Sequence, residues 1–223
     1  MTNAQLFVII DFMKKIDVKG VLDGLTALYP DAKPELDYTN PYELIVAVIL
    51  SAQCTDKRVN MITPLVFERY PTAKDLAQAS QAELEQIIKP CGFFRNKAAN
   101  LIGMAKKVCA EYDGQIPSTL DSLVGLPGVG RKTANVVYSV AFGGAAIAVD
   151  THVFRVANRI GLAASDNVFG TERDLMAVLP KETWSKAHHL LIFHGRRVCK
   201  ARKPDCNACA IKGLCKAFGG KNV

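Results

Sequence analysis

The stretch from Tyr42 to Cys54, YELIVAVILSAQC, is almost wholly apolar, and Asn40-Pro41 stands before it as a cap and first-turn pair. A helix apolar on every side has no face to give to water, so other elements have to enclose it. The rest of the chain supplies helices for that purpose. Apolar residues recur at helical spacing, and no stretch alternates apolar and polar residues for long. AQLFVIIDFMKK and VKGVLDGLTALY read as two helices before the break PDAKPELDYTNP, a candidate boundary with three prolines in twelve residues. After the apolar helix come TDKRVNMITPLVFERY, with Thr55 as N-cap and a kink expected at Pro64, then TAKDLAQAS, QAELEQIIKP and RNKAANLIGMAKKVCAEY. DSLVGLPGVGRKTANVVYSVAFG reads as two helices around a tight turn, and DTHVFRVANRIG as a helix capped by Asp150 and closed by Gly161. TERDLMAVLP and TWSKAHHLLIFHGRRVC lead into a cysteine-rich tail. The expected fold class is all-α, with about ten helices joined by short connections.

The 223 residues allow one large domain or two small ones, and 49% hydrophobic with 22% charged residues describes a globular chain. No apolar run approaches the roughly 20 residues of a membrane helix. The N-terminus holds five consecutive apolar residues before Asp11 and no basic leader, so it does not read as a signal peptide, and cytoplasm is the default compartment. Charge is unevenly placed. From Arg196 onward eight cations face Asp205 alone, which accounts for the whole net charge of +7. A basic segment of this kind suits a polyanion such as DNA or a solvated tail.

Local electrostatics draw attention to Gly125–Val137, GLPGVGRKTANVV. Helix N-termini favour anions, yet Arg131 and Lys132 occupy a first turn. Gly128 and Gly130 permit positive φ and leave backbone amides unobstructed, so the turn reads either as a plain helical corner or as an anion site. A phosphate docked there makes the two cations complementary. A lysine beside Arg131 and a helix N-terminus is also pushed toward its neutral, nucleophilic form. Asp150 follows the apolar AFGGAAIAV, as a cap whose carboxylate is held in one rotamer.

Four of the seven cysteines form Cys199-x6-Cys206-x2-Cys209-x5-Cys215, a strong metal-binding spacing in a reducing compartment. Only one short C-x-x-C pair is present, so zinc and an iron–sulfur cluster both stand, with the longer loops favouring the cluster. Cys54, Cys91 and Cys109 lie in helical sequence and read as small buried hydrophobes.

Taken together, LPGVGRKTANVV, then VDTHVFRV, then C-x6-C-x2-C-x5-C resemble the bacterial endonuclease III family of helix–hairpin–helix DNA glycosylases. ELIVAVILSAQCTD and GFFRNKA extend the resemblance, which runs from about residue 10 to 218. It implies two helical domains, 34–145 with the hairpin at about 120–143, and 1–33 plus 146–223 with a [4Fe–4S] cluster on 199–215, flanking a DNA groove. It implies Lys132 and Asp150 as catalytic residues, and Cys199, Cys206, Cys209 and Cys215 as cluster ligands. Gln53 matches a residue that fills the gap left by an extruded nucleotide. Phe93 stands where the family more often has an aliphatic wedge. Ser51 and Asp56 flank the same segment as pocket or capping residues. Gly128, Gly130 and Arg131 would bind DNA through the hairpin, and Lys200, Arg202 and Lys203 through a basic loop held by the cluster. The implied activity is excision of oxidised pyrimidines from duplex DNA and cleavage 3′ to the abasic site, by a monomer in the cytoplasm and nucleoid of a bacterium. An adenine-excising relative lacks the lysine and carries an extra C-terminal domain. A non-enzymatic DNA binder with structural zinc would reduce Lys132 and Asp150 to hairpin and cap residues.

Replacing Arg202 and Lys203 with Gln is expected to weaken DNA binding and to lower the slope of log K against log salt by about 1 per lost phosphate contact. A salt titration of duplex affinity measures this; an unchanged slope removes the loop from the interface.

Overall fold

A computed structural model of the chain describes residues 16–219. All regular structure among them is helical, and no described helix is long and apolar enough to cross a membrane. The segment AQLFVIIDFMKK lies outside the described residues. Eleven α-helices follow among the described residues: α1 Val18–Leu28, α2 Pro41–Ser51, α3 Asp56–Arg69, α4 Ala73–Ala77, α5 Gln81–Ile88, α6 Phe94–Tyr112, α7 Leu120–Val124, α8 Arg131–Ala141, α9 Thr151–Ile160, α10 Val168–Val178 and α11 Trp184–Arg197. Short 3-10 turns sit at Lys89–Cys91, Lys181–Thr183, Lys212–Leu214 and Lys216–Phe218. The chain divides into two compact units, Pro34–Ala146 and the described parts of Met1–Lys33 with Ile147–Val223.

The unit Pro34–Ala146 is built on α2. Asn40 caps it by accepting from the Glu43 amide at 3.0 Å, and Glu43 reaches back to the Thr39 amide at 2.6 Å. The Asn40 bond satisfies a first-turn donor that has no helical partner, and the Glu43 bond ties the residue before the cap. Every residue from Leu44 to Leu50 is buried, and the helix packs against α3, α6 and α8. The enclosure anticipated for this segment is therefore met by those three helices, with α4 and α5 closing over α6. Thr55 caps α3, which continues through Pro64. Cys91 is buried in this core, with Cys54 and Cys109 half-buried against it.

In the other unit, α11 packs against α9 and α1, and α9 against α10. Val21, Leu25, Val153, Val156, Ile160 and Leu190 form its fully buried centre. Helix α10 begins at Val168 rather than at Thr171, because Asn167 accepts from the Gly170 amide at 2.8 Å and opens the helix three residues early. His188 of α11 donates from Nδ1 to the Ala148 carbonyl at 2.7 Å and anchors the segment that leads to Asp150.

Candidate functional site

The hairpin is anchored from beneath. Leu123, Leu126, Val129, Ala134 and Val137 are buried, while Gly128, Gly130, Arg131 and Lys132 are exposed. Thr119 caps α7, and the Leu126 and Val129 amides donate to the Leu123 and Leu126 carbonyls at 3.1 Å, winding the turn. Gly128 has φ +74°, and a Cβ there would lie 2.8 Å from Asn100 Cβ. Both conformation and space demand glycine at that position. Gly130 differs from the expectation. Its φ of −80° is open to any residue, and a Cβ would meet nothing within 4 Å. Gly130 is the N-cap of α8 and brings no side chain to cover the first-turn amides. Lys132 stands in that first turn, which contains no acidic residue.

Asp150 is the N-cap of α9, as expected. Its Oδ1 accepts from the His152 and Val153 amides at 2.8 and 2.7 Å. One oxygen holds the rotamer, leaving Oδ2 for other partners. Lys132 and Asp150 belong to different units.

Gln53 and Phe93 share a feature that the sequence did not announce. Both adopt the left-handed backbone region, at φ +53° and +47°, which non-glycine residues seldom enter. Gln53 is exposed in the turn after α2, and Phe93, at the N-cap of α6, is 65% exposed. A core role for Phe93 is thereby excluded. Ser51 donates back to the Val48 carbonyl at 2.8 Å within its helix, and Asp56 is the first residue of α3. Beneath the two turns lies Lys97, which sequence reading passed over. It is 5% exposed, and its Nζ donates to the carbonyls of Leu50 and Cys91, each at 2.8 Å. Burial holds its pKa below the usual lysine value, partly opposed by the neighbouring Cys54 and Cys91. Its phase was the available signal, since it falls between Phe94 and Leu101 on the core-facing side of α6.

Cys199, Cys206, Cys209 and Cys215 line one pocket with Ile160, His194, Ile211 and Phe218. Among the described residues no three His, Cys, Asp or Glu side chains converge closely enough for a single metal ion. The thiols ring the cavity instead. Burial raises the pKa of Cys209 and Cys215, so a bound cationic metal is what would hold them as thiolates. Polar groups surround the sulfurs. Arg159 Nη1 lies 3.6 Å from Cys199 Sγ, and His194 Nε2 lies 3.5 Å from Cys209 Sγ, with burial pushing that imidazole down to about 4. Arg159 also donates to the carbonyls of Lys200 and Ala201 at 2.8 and 3.1 Å, and Arg155 to that of Cys199 at 3.1 Å. These two arginines grip the loop that displays Lys200, Arg202 and Lys203 to solvent. Neither arginine stood out in the sequence, because both lie on an ordinary amphipathic helix.

The chain has relatives over most of its length. Residues 46–181 match the family described as the HhH-GPD superfamily of base excision DNA repair proteins. The chain is 50% identical to the endonuclease III of Bacillus subtilis over 200 residues, covering 89% of this chain and 91% of that one. The chain belongs to the endonuclease III family. The Synechocystis endonuclease III is 48% identical over 91% of this chain and 93% of its own. A solved structure of a trapped endonuclease III–DNA covalent intermediate superposes with a TM-score of 0.86 at 48% identity, covering 91% of this chain and 95% of that one.

The two hairpin glycines are expected to respond differently to Ala. Gly128→Ala should destabilise the protein by about 1 kcal/mol or more, from the left-handed backbone and the Asn100 contact. Gly130→Ala should cost less than Gly128→Ala, about 0.5 kcal/mol for Ala in place of Gly at an N-cap, and weaken duplex binding instead. Denaturant melts and binding titrations on both variants separate the two roles; equal destabilisation would refute the distinction.

Proposed function

We propose that the protein excises oxidised pyrimidines from duplex DNA and cuts the strand 3′ to the resulting abasic site, with Lys132 as nucleophile and Asp150 as its carboxylate partner. Membership of the endonuclease III family makes it a base excision repair glycosylase and abasic-site lyase. The observation that carries the residue assignment is the exposed Lys132 in the uncapped first turn of α8, directly after a turn shaped by Gly128 and left open at Gly130. A relative captured in covalent linkage to DNA supports a nucleophilic side chain in this fold.

The target nucleotide leaves the stack at a cost that falls when the base is damaged. Hairpin amides and Arg131 receive the phosphate backbone, and Gln53 and Phe93 occupy the space vacated in the duplex. Lys132 Nζ, as the free amine, bonds to C1′ while the bond from C1′ to the base breaks and the base leaves with a proton. Asp150, held by its cap bonds, stabilises the positive charge that develops on the sugar and assists proton transfer. Opening of the sugar ring gives an iminium linkage between Nζ and C1′. That linkage acidifies the C2′ proton, whose removal forms the C2′–C3′ double bond and expels the 3′ phosphate. Water then releases Lys132.

Cys199, Cys206, Cys209 and Cys215 would hold a [4Fe–4S] cluster. Four thiols lining one pocket, no three of them converging closely enough for a single ion, with Arg159 and His194 beside the sulfurs, fit such a group. Bound there, the cluster supplies a rigid cross-link between Cys199 and Cys215. Arg155 and Arg159 then hold Lys200, Arg202 and Lys203 against phosphates. DNA as substrate sets the location in the cytoplasm and at the nucleoid of a bacterium.

Borohydride reduction on duplex containing an oxidised pyrimidine should give a covalent protein–DNA complex that disappears in Lys132→Ala while binding persists. Undiminished trapping in that variant would sink the nucleophile assignment. Anaerobically prepared protein should contain iron and sulfide, and substitution of Cys206 by Ala should remove both; zinc alone would overturn the cluster.

A further inference from the structure

Gln53 and Phe93 lie on separate turns, yet one side chain joins those turns. Leu50, whose carbonyl Lys97 bonds, is in the last turn of α2, three residues before Gln53. Cys91, whose carbonyl takes the second bond, ends the 3-10 turn two residues before Phe93. Both carbonyls sit at helix C-termini, where the backbone runs out of partners and a cation is favoured. The ammonium is enclosed, so water does not substitute for it. Arg58 adds a more exposed strap, donating from Nη1 to the Pro90 carbonyl at 3.3 Å.

The backbone conformation of the two turns needs such a tie. Four non-glycine residues among those described have positive φ, and Gln53 and Phe93 are two of them. Left-handed backbone on L-residues persists where the surroundings over-determine it, which occurs at functional sites. Lys97 also breaks the pattern of its own helix, since Ala98, Leu101 and Ala105 on the same face are apolar and fully buried. Packing alone would be served by Leu or Met, which would leave the Leu50 and Cys91 carbonyls without their donor.

We propose that Lys97 is a positioning residue for base extrusion: by clamping the Leu50 and Cys91 carbonyls it presets Gln53 and Phe93 as one rigid unit that enters the duplex together. The inference rests on the functional reading above, in which those two residues occupy the opened duplex. It assigns Lys97 no contact with DNA and no part in the chemistry at Lys132. Loss of the clamp therefore weighs on the step that opens a base-paired, stacked nucleotide. It weighs much less on β-elimination at a site that has already lost its base.

The test compares Lys97→Met and Lys97→Gln with wild type on two duplexes, one with an oxidised pyrimidine and one with a preformed abasic site. Single-turnover excision by Lys97→Met should fall about 10- to 100-fold, the scale of a misplacement of about 1 Å. Cleavage of the abasic duplex should fall by no more than about threefold. Lys97→Gln, which keeps an amide donor for one carbonyl, should fall between Lys97→Met and wild type. 2-Aminopurine opposite the lesion should show a slowed fluorescence rise in the same order. Circular dichroism establishes folding, and should Lys97→Met fail to fold, the ratio of the two rates in Lys97→Gln decides alone. Equal losses on both duplexes, or an unchanged fluorescence rise, would overturn the positioning role and leave the functional reading standing. A wild-type protein inactive on both duplexes would strike the functional reading itself.

Discussion

The enclosure of α2 is the constraint on which the unit Pro34–Ala146 depends. Seven consecutive residues from Leu44 to Leu50 are withdrawn from water. Burial of a large aliphatic side chain contributes about 1.5–3 kcal/mol, and α2 buries six of them, Leu44, Ile45, Val46, Val48, Ile49 and Leu50. The same enclosure creates a difficulty at the C-terminus of the helix, where unpaired carbonyls are far from solvent. Lys97 resolves it for Leu50. The ammonium that completes α2 is thus also the group that ties the Gln53 turn to the Phe93 turn, and packing and the placement of those two exposed residues share one interaction. Helix α8 packs on α2 as well, which gives Lys132 a rigid base although its own side chain is exposed.

The cysteine segment is organised by a different logic. Residues 199–219 have three large apolar side chains besides the cysteines, Ile211, Leu214 and Phe218, of which only Ile211 is buried, and only short 3-10 turns, too little to fold on hydrophobic burial. Arg155 and Arg159 hold its first loop through backbone carbonyls, and Ile160 and His194 supply one wall of the cavity. A metal cluster on the four thiols would complete what those contacts begin. In that arrangement Arg159 has two tasks. It approaches Cys199 Sγ, where it would tune a bound cluster, and it fixes the backbone of the basic loop.

Helix positions were legible in the sequence wherever a cap and a period agreed. Asn40-Pro41, Thr55 and Asp150 each open the helix expected of them, and Gly161 closes α9 in the left-handed conformation. The start of α10 was misplaced because Asn167 lies outside the apolar repeat, and its capping bond depends on a local backbone turn. The glycines of the hairpin were visible, but their division of labour was not. The requirement at Gly128 comes from its left-handed backbone together with Asn100, which is distant in sequence, and the openness at Gly130 is a property of the surrounding space.

By itself the sequence determined the all-helical class, the capped start of the helix that carries Asp150, the lysine after the hairpin and the spacing of four thiols. These follow from local rules, since caps, periods and loop lengths act within a few residues. Tertiary structure alone decided that Phe93 is exposed, that Gln53 and Phe93 share a left-handed backbone, and that Lys97, Arg155, Arg159 and His194 support them and the cysteines. Each of those outcomes depends on a carbonyl or sulfur brought close by packing, and Lys97 reaches its Leu50 partner across 47 residues of chain. Side chains that work through such distant backbone groups look like ordinary helix residues until the helices meet.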